Sequence, residues 1–124
     1  MAIPASGDGQ EVLRRGVVVT QSSAWTSFVF TGTSPTTGTN SYTVPSDHII
    51  TMLSIIWCET GGNAELFHLN TDPIYLLVNQ DLAAYATFIW TEKWCLKGGE
   101  KLQTYITSSA DVDVYYSYLD QDWS

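Results

Sequence analysis

The stretch "IITMLSIIWC", residues 49–58, decides the fold of this chain. Apolar side chains follow one another along it, so both faces of an extended strand would be apolar. A strand of this kind is typical of a sheet that is covered on both faces. The stretch is also much shorter than the roughly 20 residues that a membrane-spanning helix needs. It is therefore predicted to be a central strand of a sheet whose second face is covered too.

The runs on either side of this stretch alternate between two faces. In "AWTSFVF", residues 24–30, one face holds Thr26, Phe28 and Phe30. In "DVDVYYSYL", residues 111–119, one face holds Val112, Val114, Tyr116 and Tyr118. A period of two residues is typical of strands with one buried face, so both runs are predicted to be half-buried strands. The aromatic side chains predicted to point into the core are Phe28, Phe30, Trp57, Phe88 and Tyr116.

Turn residues separate short β-prone runs along the whole chain. The sequence predicts eight or nine strands, near residues 12–20, 24–32, 40–44, 48–59, 63–70, 73–79, 84–92, 101–108 and 111–119. The stretch 80–86 is the one place where a short helical turn could interrupt the strands. Short strands at intervals of about 8–12 residues are typical of a sandwich or barrel. The predicted fold is all-β, a single antiparallel β-sandwich of jelly-roll type over residues 16–124 with an extended N-terminal arm over residues 1–15.

The predicted arm ends on the only two arginines of the chain, Arg14 and Arg15. Residues 1–10 contain Pro4 and two glycines, so on their own they are expected to be mobile. An arginine forms bidentate pairs with a carboxylate. The carboxylate can belong to a neighbouring subunit, which would make the arm a tether, or to this chain at the start of the first strand. The residues alone leave both interpretations open.

Charge and composition exclude several classes of partner. The chain has five Lys and Arg against thirteen Asp and Glu, a net charge of −8. Nucleic acids and anionic membranes are bound by clustered basic residues, so neither is an expected partner. The N-terminus has no basic region followed by an apolar one, so no signal peptide is predicted and synthesis in a cytoplasm is expected. Only 15% of residues are charged, which favours a surface that is partly covered by a partner.

The sequence contains no pattern that indicates catalysis or a cofactor. His48 opens the central strand, and His68 lies in the alternating run "AELFHLN", where it is predicted to be a hydrogen-bonded sheet histidine. A nucleophilic triad needs a histidine near a serine or cysteine, and neither histidine stands in such a motif. The motifs G-x-S-x-G and H-E-x-x-H and the P-loop are also missing. The chain is therefore predicted to be no enzyme and to bind no cofactor.

Carboxylates and thiols give only weak indications of a metal site or a disulfide. Calcium binds clusters of carboxylate oxygens, and four aspartates lie near the C-terminus, namely Asp111, Asp113, Asp120 and Asp122. Aspartates on one face of a strand are more commonly its solvated side, so no metal site is predicted. Cys58 and Cys95 stand at the polar ends of apolar runs. Without a secretion signal, two reduced thiols are expected rather than a disulfide.

Aromatic residues exceed what the core of a small sandwich takes up, with five Trp and seven Tyr. Exposed Trp, Tyr and Arg anchor protein interfaces, and exposed Trp and Tyr also stack on sugar rings. A protein interface and a carbohydrate site therefore both stay open, with Trp94 and Trp123 as the candidates for sugar binding. The predicted partner-binding residues are Ile3, Pro4, Val12, Leu13, Arg14, Arg15, Trp94, Tyr115 and Trp123.

Three segments resemble the small all-β virion proteins of tailed bacteriophages. "MAIPASGDGQEVLRRG", residues 1–16, is similar to the polar leader and "EVL(K/R)R" segment of such proteins. "YTVPSDHIITMLSIIWCETGGNAELFHL", residues 42–69, is similar to a "tVP" turn followed by a long apolar strand. "CLKGGEKLQTYI", residues 95–106, is similar to a Gly-containing turn before the closing strand.

This resemblance implies a structural role in a virion and brings no catalytic residues. A capsid decoration or cement protein is the leading expectation, made in the bacterial host cytoplasm and located in the virion. Its implied partners are copies of itself in a homotrimer and the major capsid protein. A neck-associated or tail-associated component is an alternative. Outside the family there are two alternatives. One is a carbohydrate-binding sandwich, and the other is a small hydrolase or isomerase with a histidine or carboxylate pair in a deep pocket.

Overall fold

The computed structural model describes residues 10–19, 25–30, 36–37, 42–71, 74–107 and 112–122. These ranges contain ten strands and no helix. In chain order the strands are β1 (Gln10–Val19), β2 (Trp25–Ser27), β3 (Thr36–Thr37), β4 (His48–Glu59), β5 (Glu65–Asn70), β6 (Tyr75–Leu82), β7 (Thr87–Trp90), β8 (Trp94–Lys97), β9 (Gln103–Ile106) and β10 (Val112–Asp122).

The strands form two sheets. The large sheet has the order β3-β1-β10-β4-β7, with β8 also paired to β4, and the small sheet has the order β2-β9-β5-β6. Every pair is antiparallel except the two-residue β3 beside β1. The predicted all-β sandwich is therefore confirmed. Strands from the two ends of the chain lie next to each other in both sheets, while the jelly-roll type stays a prediction.

Strand β4 lies at the centre of the large sheet, as predicted from its apolar run. It pairs with β10 on one side and with β7 and β8 on the other. Its inward side chains, Ile50, Met52, Ile55 and Trp57, are fully buried. The side chains on its second face are only half-buried, so the described residues cover that face only in part. The expectation of a covered second face is wrong within the described chain.

Aromatic rings join the two sheets in the core. Trp57 in β4 stacks on Phe67 in β5, and its Nε1–H donates to Oγ1 of Thr104 in β9 at 3.1 Å. The hydroxyl of Tyr116 donates to the carbonyl of Val29 at 2.6 Å and accepts from its N–H at 3.0 Å. These bonds satisfy the polar ends of two buried rings. The predicted inward positions of Phe28, Phe30, Trp57, Phe88 and Tyr116 are confirmed, with Phe88 partly buried.

Three predicted boundaries are corrected by backbone pairing. Gln10–Arg15, assigned to the arm, pair in register with Ser117–Asp122 and belong to the sheet. Residues 42–44 form no strand and instead exchange hydrogen bonds with Gly99 and Glu100. The helical turn expected within 80–86 is absent, because β6 runs on to Leu82 and a turn follows.

Strand β8 was not predicted, since "WCLK" is short and follows charged loop residues. The turn after it allows it to pair with β4. Gly99 has a φ of 89°, a backbone conformation that favours glycine, and the N–H of Gly99 donates to the carbonyl of Val44 at 2.8 Å. The predicted turn at 97–100 is therefore confirmed, but its role is to attach the edge strand.

Candidate binding faces of the sandwich

The outward face of the large sheet consists of rows of apolar side chains. In one row, Val17 lies opposite Tyr115, Tyr115 opposite Ile56, and Ile56 opposite Ile89. A second row passes from Leu13 through Leu119 to Thr51 and Cys95. Between the rows, β4 has one more residue than β10, because Ser117 pairs with Ser54 and Tyr118 with Met52. The extra residue, Leu53, lines the outward face.

We call this surface the apolar face. Its members are Leu13, Val17, Leu53, Ile56, Ile89, Tyr115 and Leu119. Leu13 is 69% exposed, Ile89 58% and Tyr115 39%. A groove of about 400 Å³ crosses it, lined by Leu13, Arg14, Arg15, Leu53, Tyr115 and Ser117. A contiguous apolar surface on one side of a sheet is typical of an interaction site, whereas scattered exposed hydrophobics are ordinary.

Charged strand residues on the outward side of the large sheet cancel. They are Glu11, Arg15, Lys97 and Asp113, two of each sign, so this side is neutral in a chain whose net charge is −8. Arg15 Nη1 lies 3.5 Å from the hydroxyl oxygen of Tyr115. Copies of the chain can therefore meet on this side without the repulsion that its net charge would cause elsewhere.

The structure divides the predicted partner-binding residues among several places. Leu13, Arg15 and Tyr115 lie together at the groove of the apolar face. Val12 alternates to the other side of β1, opposite Asp120. Trp94 is half-buried and packs against the core. Ile3, Pro4 and Trp123 lie outside the described residues.

Arg14 forms the intramolecular ion pair that the sequence left open. Its Nε donates to Oδ2 of Asp120 at 3.3 Å. Oδ1 of the same buried carboxylate accepts from Nδ1 of His48 at 2.8 Å. His48 Nε2 lies 3.6 Å from Asp122 Oδ1. The cluster ties together β1, β10 and the start of β4, so we interpret it as a structural contact.

The small sheet carries a row of aromatic rings on its outward face that the sequence analysis did not identify. Trp25 lies opposite Tyr105, and Tyr105 lies opposite His68, with ring centroids 5.2 and 5.7 Å apart. Tyr75 contacts both ends of the row, at 5.9 Å from Trp25 and 5.9 Å from His68. We call these four residues the aromatic row. Only the pairing of β2, β9 and β5 brings them together, since they are distant in sequence.

His68 is held in one tautomer within this row. Its Nδ1 accepts a hydrogen bond from the N–H of Asn79 at 3.0 Å, so in the neutral ring Nε2 carries the proton. Burial lowers the pKa of His68 below its usual value of 6.5. The predicted hydrogen-bonded sheet histidine is confirmed, and it is a neutral donor at physiological pH.

The carboxylate of Glu59 organises the turn between β4 and β5. It accepts hydrogen bonds from the N–H groups of Gly61, Gly62, Asn63 and Tyr85 at 2.8–3.2 Å. The bond from Tyr85 is the largest cause that lowers the pKa of Glu59; burial opposes it, and the other three bonds lower it further. All four donors are backbone groups. Three lie in the turn between β4 and β5, and Tyr85 lies in the turn between β6 and β7, so we interpret Glu59 as structural.

The described part of the chain does not place its residues where a metal site or a disulfide would need them. No group of three His, Cys, Asp or Glu residues there is arranged to hold a metal ion. Asp113 and Asp120 point to opposite sides of β10, and Asp111 lies outside the described residues. Cys95 pairs with Thr51, seven residues along β4 from Cys58, so the two free thiols lie roughly 20 Å apart. A disulfide needs Cα atoms within about 7 Å.

Comparisons with known proteins leave the chain without an assigned family. No protein-family model, curated protein or solved structure gives a significant match to it. Within the described ranges there is also no helix of the length and hydrophobicity that a membrane crossing requires. The function therefore has to be argued from the two faces of the sandwich.

Proposed function

We propose that this chain is a non-enzymatic structural protein that assembles with other protein subunits through the apolar face. In its most specific form, the proposal is a capsid decoration or cement protein of a tailed bacteriophage. It forms a homotrimer and binds the major capsid protein in the virion. The observation that carries the proposal is the neutral apolar surface around Leu13, Tyr115 and Ile89, which the described residues leave exposed.

Self-association is the first step that the surface favours. Three copies with this face turned toward a common axis bury their apolar centres against one another, and closed symmetry of this kind is usual for homo-oligomers. The apolar contact supplies about 25 cal/mol per Å² removed from water. Glu11, Arg15, Lys97 and Asp113 provide both charge signs at this face, so neighbouring copies can pair opposite charges. The small share of charged residues in the chain, 15%, fits a surface that is largely covered after assembly.

The virion setting is supported by the resemblance of residues 1–16, 42–69 and 95–106 to phage virion proteins. A cement protein binds the assembled shell and not its free subunits, and so stabilises the shell by mass action. Repetition around a symmetry axis multiplies a modest contact through avidity. A small rigid sandwich with an adhesive face suits this task, which requires no active site.

The proposal is tested by the mass of the full-length chain in solution and its dependence on the apolar face. Size exclusion with light scattering should give about 41 kDa for the wild type, three times the monomer mass of 13.7 kDa. Ile89→Asp should run as a monomer, because it places a charge on the apolar face at a position that is 58% exposed in the single chain. Ile74→Asp is the matched control, since Ile74 is 60% exposed against 58% for Ile89 but lies outside the large sheet.

The two cysteines give an independent readout of the same contact. Cys58 and Cys95 both occupy outward positions of the large sheet, next to Thr87 and Thr51. Their alkylation by iodoacetamide should be slower in the oligomer than in the Ile89→Asp monomer. A wild-type chain that stays monomeric at all concentrations, with equal alkylation rates in both proteins, would overturn self-association. If the wild type is a dimer and Ile89→Asp dissociates it, the apolar face remains the subunit contact and the number of copies is two instead of three.

A further inference from the structure

The aromatic row lies on the opposite side of the sandwich from the apolar face and differs from it in chemistry. The apolar face is mainly aliphatic, whereas the row consists of two tyrosines, a tryptophan and an imidazole. Tyr75 is 49% exposed, and the other three rings are half-buried at the surface. The rings of Trp25, Tyr105 and His68 are tilted by 39–48° to one another, and Tyr75 meets Trp25 and His68 at 66° and 83°, so the row is faceted and not flat.

Polar atoms surround the rings, and several of them have no partner among the residues that the structure describes. Within the described part of the chain, no hydrogen bond is made by the hydroxyls of Tyr75 and Tyr105, the Nε1–H of Trp25 or the Nε2–H of His68. The amide of Gln103, two residues from Tyr105 on the same face, is also unpartnered although the residue is only 8% exposed. Its amide still reaches solvent, so its donor and acceptor are available to a ligand.

The row carries no charge at neutral pH. Trp25, Tyr75, Tyr105 and Gln103 are uncharged, and the desolvated imidazole of His68 stays neutral because burial lowers its pKa. None of these five residues offers a basic partner to an anionic ligand. A purely apolar ligand would cover the amide, the hydroxyls and the ring N–H groups without bonding to them, which disfavours its binding. The complementary ligand has apolar faces and a rim of neutral hydroxyls.

We propose that the aromatic row, with Gln103 beside it, is a binding site for a neutral carbohydrate. The C–H groups on one face of a pyranose ring pack on an aromatic ring, whose face carries the negative part of its quadrupole. Hydroxyls at the rim of the sugar bond to the Gln103 amide, the His68 Nε2–H and the tyrosine hydroxyls. This site lies on the small sheet, so it is independent of assembly through the large sheet. In a virion protein, such a site would bind glycans in addition to the structural role of the protein.

The test uses the full-length chain and a defined panel of neutral hexasaccharides of glucose, xylose, mannose and N-acetylglucosamine. Isothermal titration should give saturable binding to at least one of them in the micromolar to millimolar range. Trp25→Ala should weaken that binding by about tenfold or more, the loss of one stacking surface. Tyr85→Ala is the control, because it removes an aromatic ring that is 74% exposed in the turn between β6 and β7, outside both proposed surfaces, and should leave sugar binding unchanged.

Two further variants keep the test decisive if Trp25→Ala disturbs folding. Tyr75→Ala removes the most exposed ring of the row, and Gln103→Ala removes the amide; each should weaken binding several-fold while the circular dichroism spectrum stays that of the wild type. No binding to any panel member at millimolar concentration overturns the proposal. Binding that persists at full strength in folded Tyr75→Ala and Gln103→Ala also overturns it. A loss of oligomer mass in these variants, without sugar binding by the wild type, would make the row a subunit contact.

Discussion

The rings of Trp57 and Phe67 stack across the two sheets with their centroids 4.6 Å apart. Trp57 comes from the centre of the large sheet and Phe67 from the small one, and both are fully buried. The Nε1–H of Trp57 also reaches the small sheet, where it bonds to Thr104. This pair therefore holds together the two layers whose outward faces carry the proposed contacts.

Replacing this tryptophan should lower stability more than any surface change. Trp57→Ala removes a large buried ring and leaves a cavity, so the free energy of unfolding should fall by about 3–5 kcal/mol. Urea unfolding followed by circular dichroism measures the change. Ile74→Ala, at an exposed position, should change stability by no more than about 0.5 kcal/mol. Equal effects of the two substitutions would contradict the central place of Trp57 in the core.

The buried carboxylate of Asp120 should matter for stability, whereas a neighbouring exposed carboxylate should not. Asp120 accepts from both Arg14 and His48, so Asp120→Asn weakens two contacts at once. We expect a loss of roughly 1–3 kcal/mol, typical of hydrogen bonds to charged groups. Asp113→Asn is the control on the same strand, since Asp113 is exposed and should contribute about 0.5 kcal/mol at most. Similar values for both variants would argue against a structural role of the cluster.

Stability should depend on pH through Glu59. Its folded pKa is lowered from 4.5 by the hydrogen bonds to its carboxylate, of which that from Tyr85 is the largest. The ionised carboxylate therefore stabilises the fold above about pH 4.5, and this contribution is lost as the pH falls through the folded pKa. Glu59→Gln should be less stable than the wild type at pH 7, and the difference should shrink on acidification.

Thermal unfolding at a series of pH values tests this dependence on Glu59. Glu92→Gln is the control, because Glu92 is exposed in the loop between β7 and β8. A difference between the wild type and Glu59→Gln that is constant from neutral to acid pH would show that ionisation of Glu59 does not contribute.

The role of the N-terminal residues has to be tested with a deletion that ends before β1. Removing residues 1–15 also removes Gln10–Arg15 from their pairing with β10, so this truncation should unfold at a lower temperature. Removing residues 1–9 leaves the described strand complete and should retain the melting temperature of the full chain. Particle incorporation of the 1–9 deletion then tests the arm as a tether. Its normal incorporation would exclude a tether role for Ile3 and Pro4.

The sequence was sufficient for the class of fold and for much of its core. The doubly apolar run at 49–58 and the two-residue alternation at 112–118 report burial directly, because successive side chains of a strand point to opposite faces. They identified β4 as central and Val112, Val114, Tyr116 and Tyr118 as one buried face. Short irregular segments carry no such period, which is why the strand predicted near 40–44 does not form over the described residues 42–44 and β8 was missed.

The assignment of single side chains to sites depended on which strands pair and in which register, and this cannot be read from the sequence. The two arginines are adjacent, yet Arg14 turns toward Asp120, more than a hundred residues away, while Arg15 faces the groove of the apolar face. Trp94 was predicted to be a surface aromatic, but pairing of β8 with β4 places it against the core. A register shift of one residue would reverse each of these positions.

The sequence by itself determined that this chain forms a β-sandwich, that its charge is strongly acidic and that it lacks the common catalytic motifs. Local period and composition are enough for these properties, since each depends on neighbours in sequence or on totals. Only the tertiary structure decided which side chains share a surface. Long-range strand register aligned Leu13, Tyr115 and Ile89 on one sheet and brought Trp25, Tyr105 and His68 together on the other.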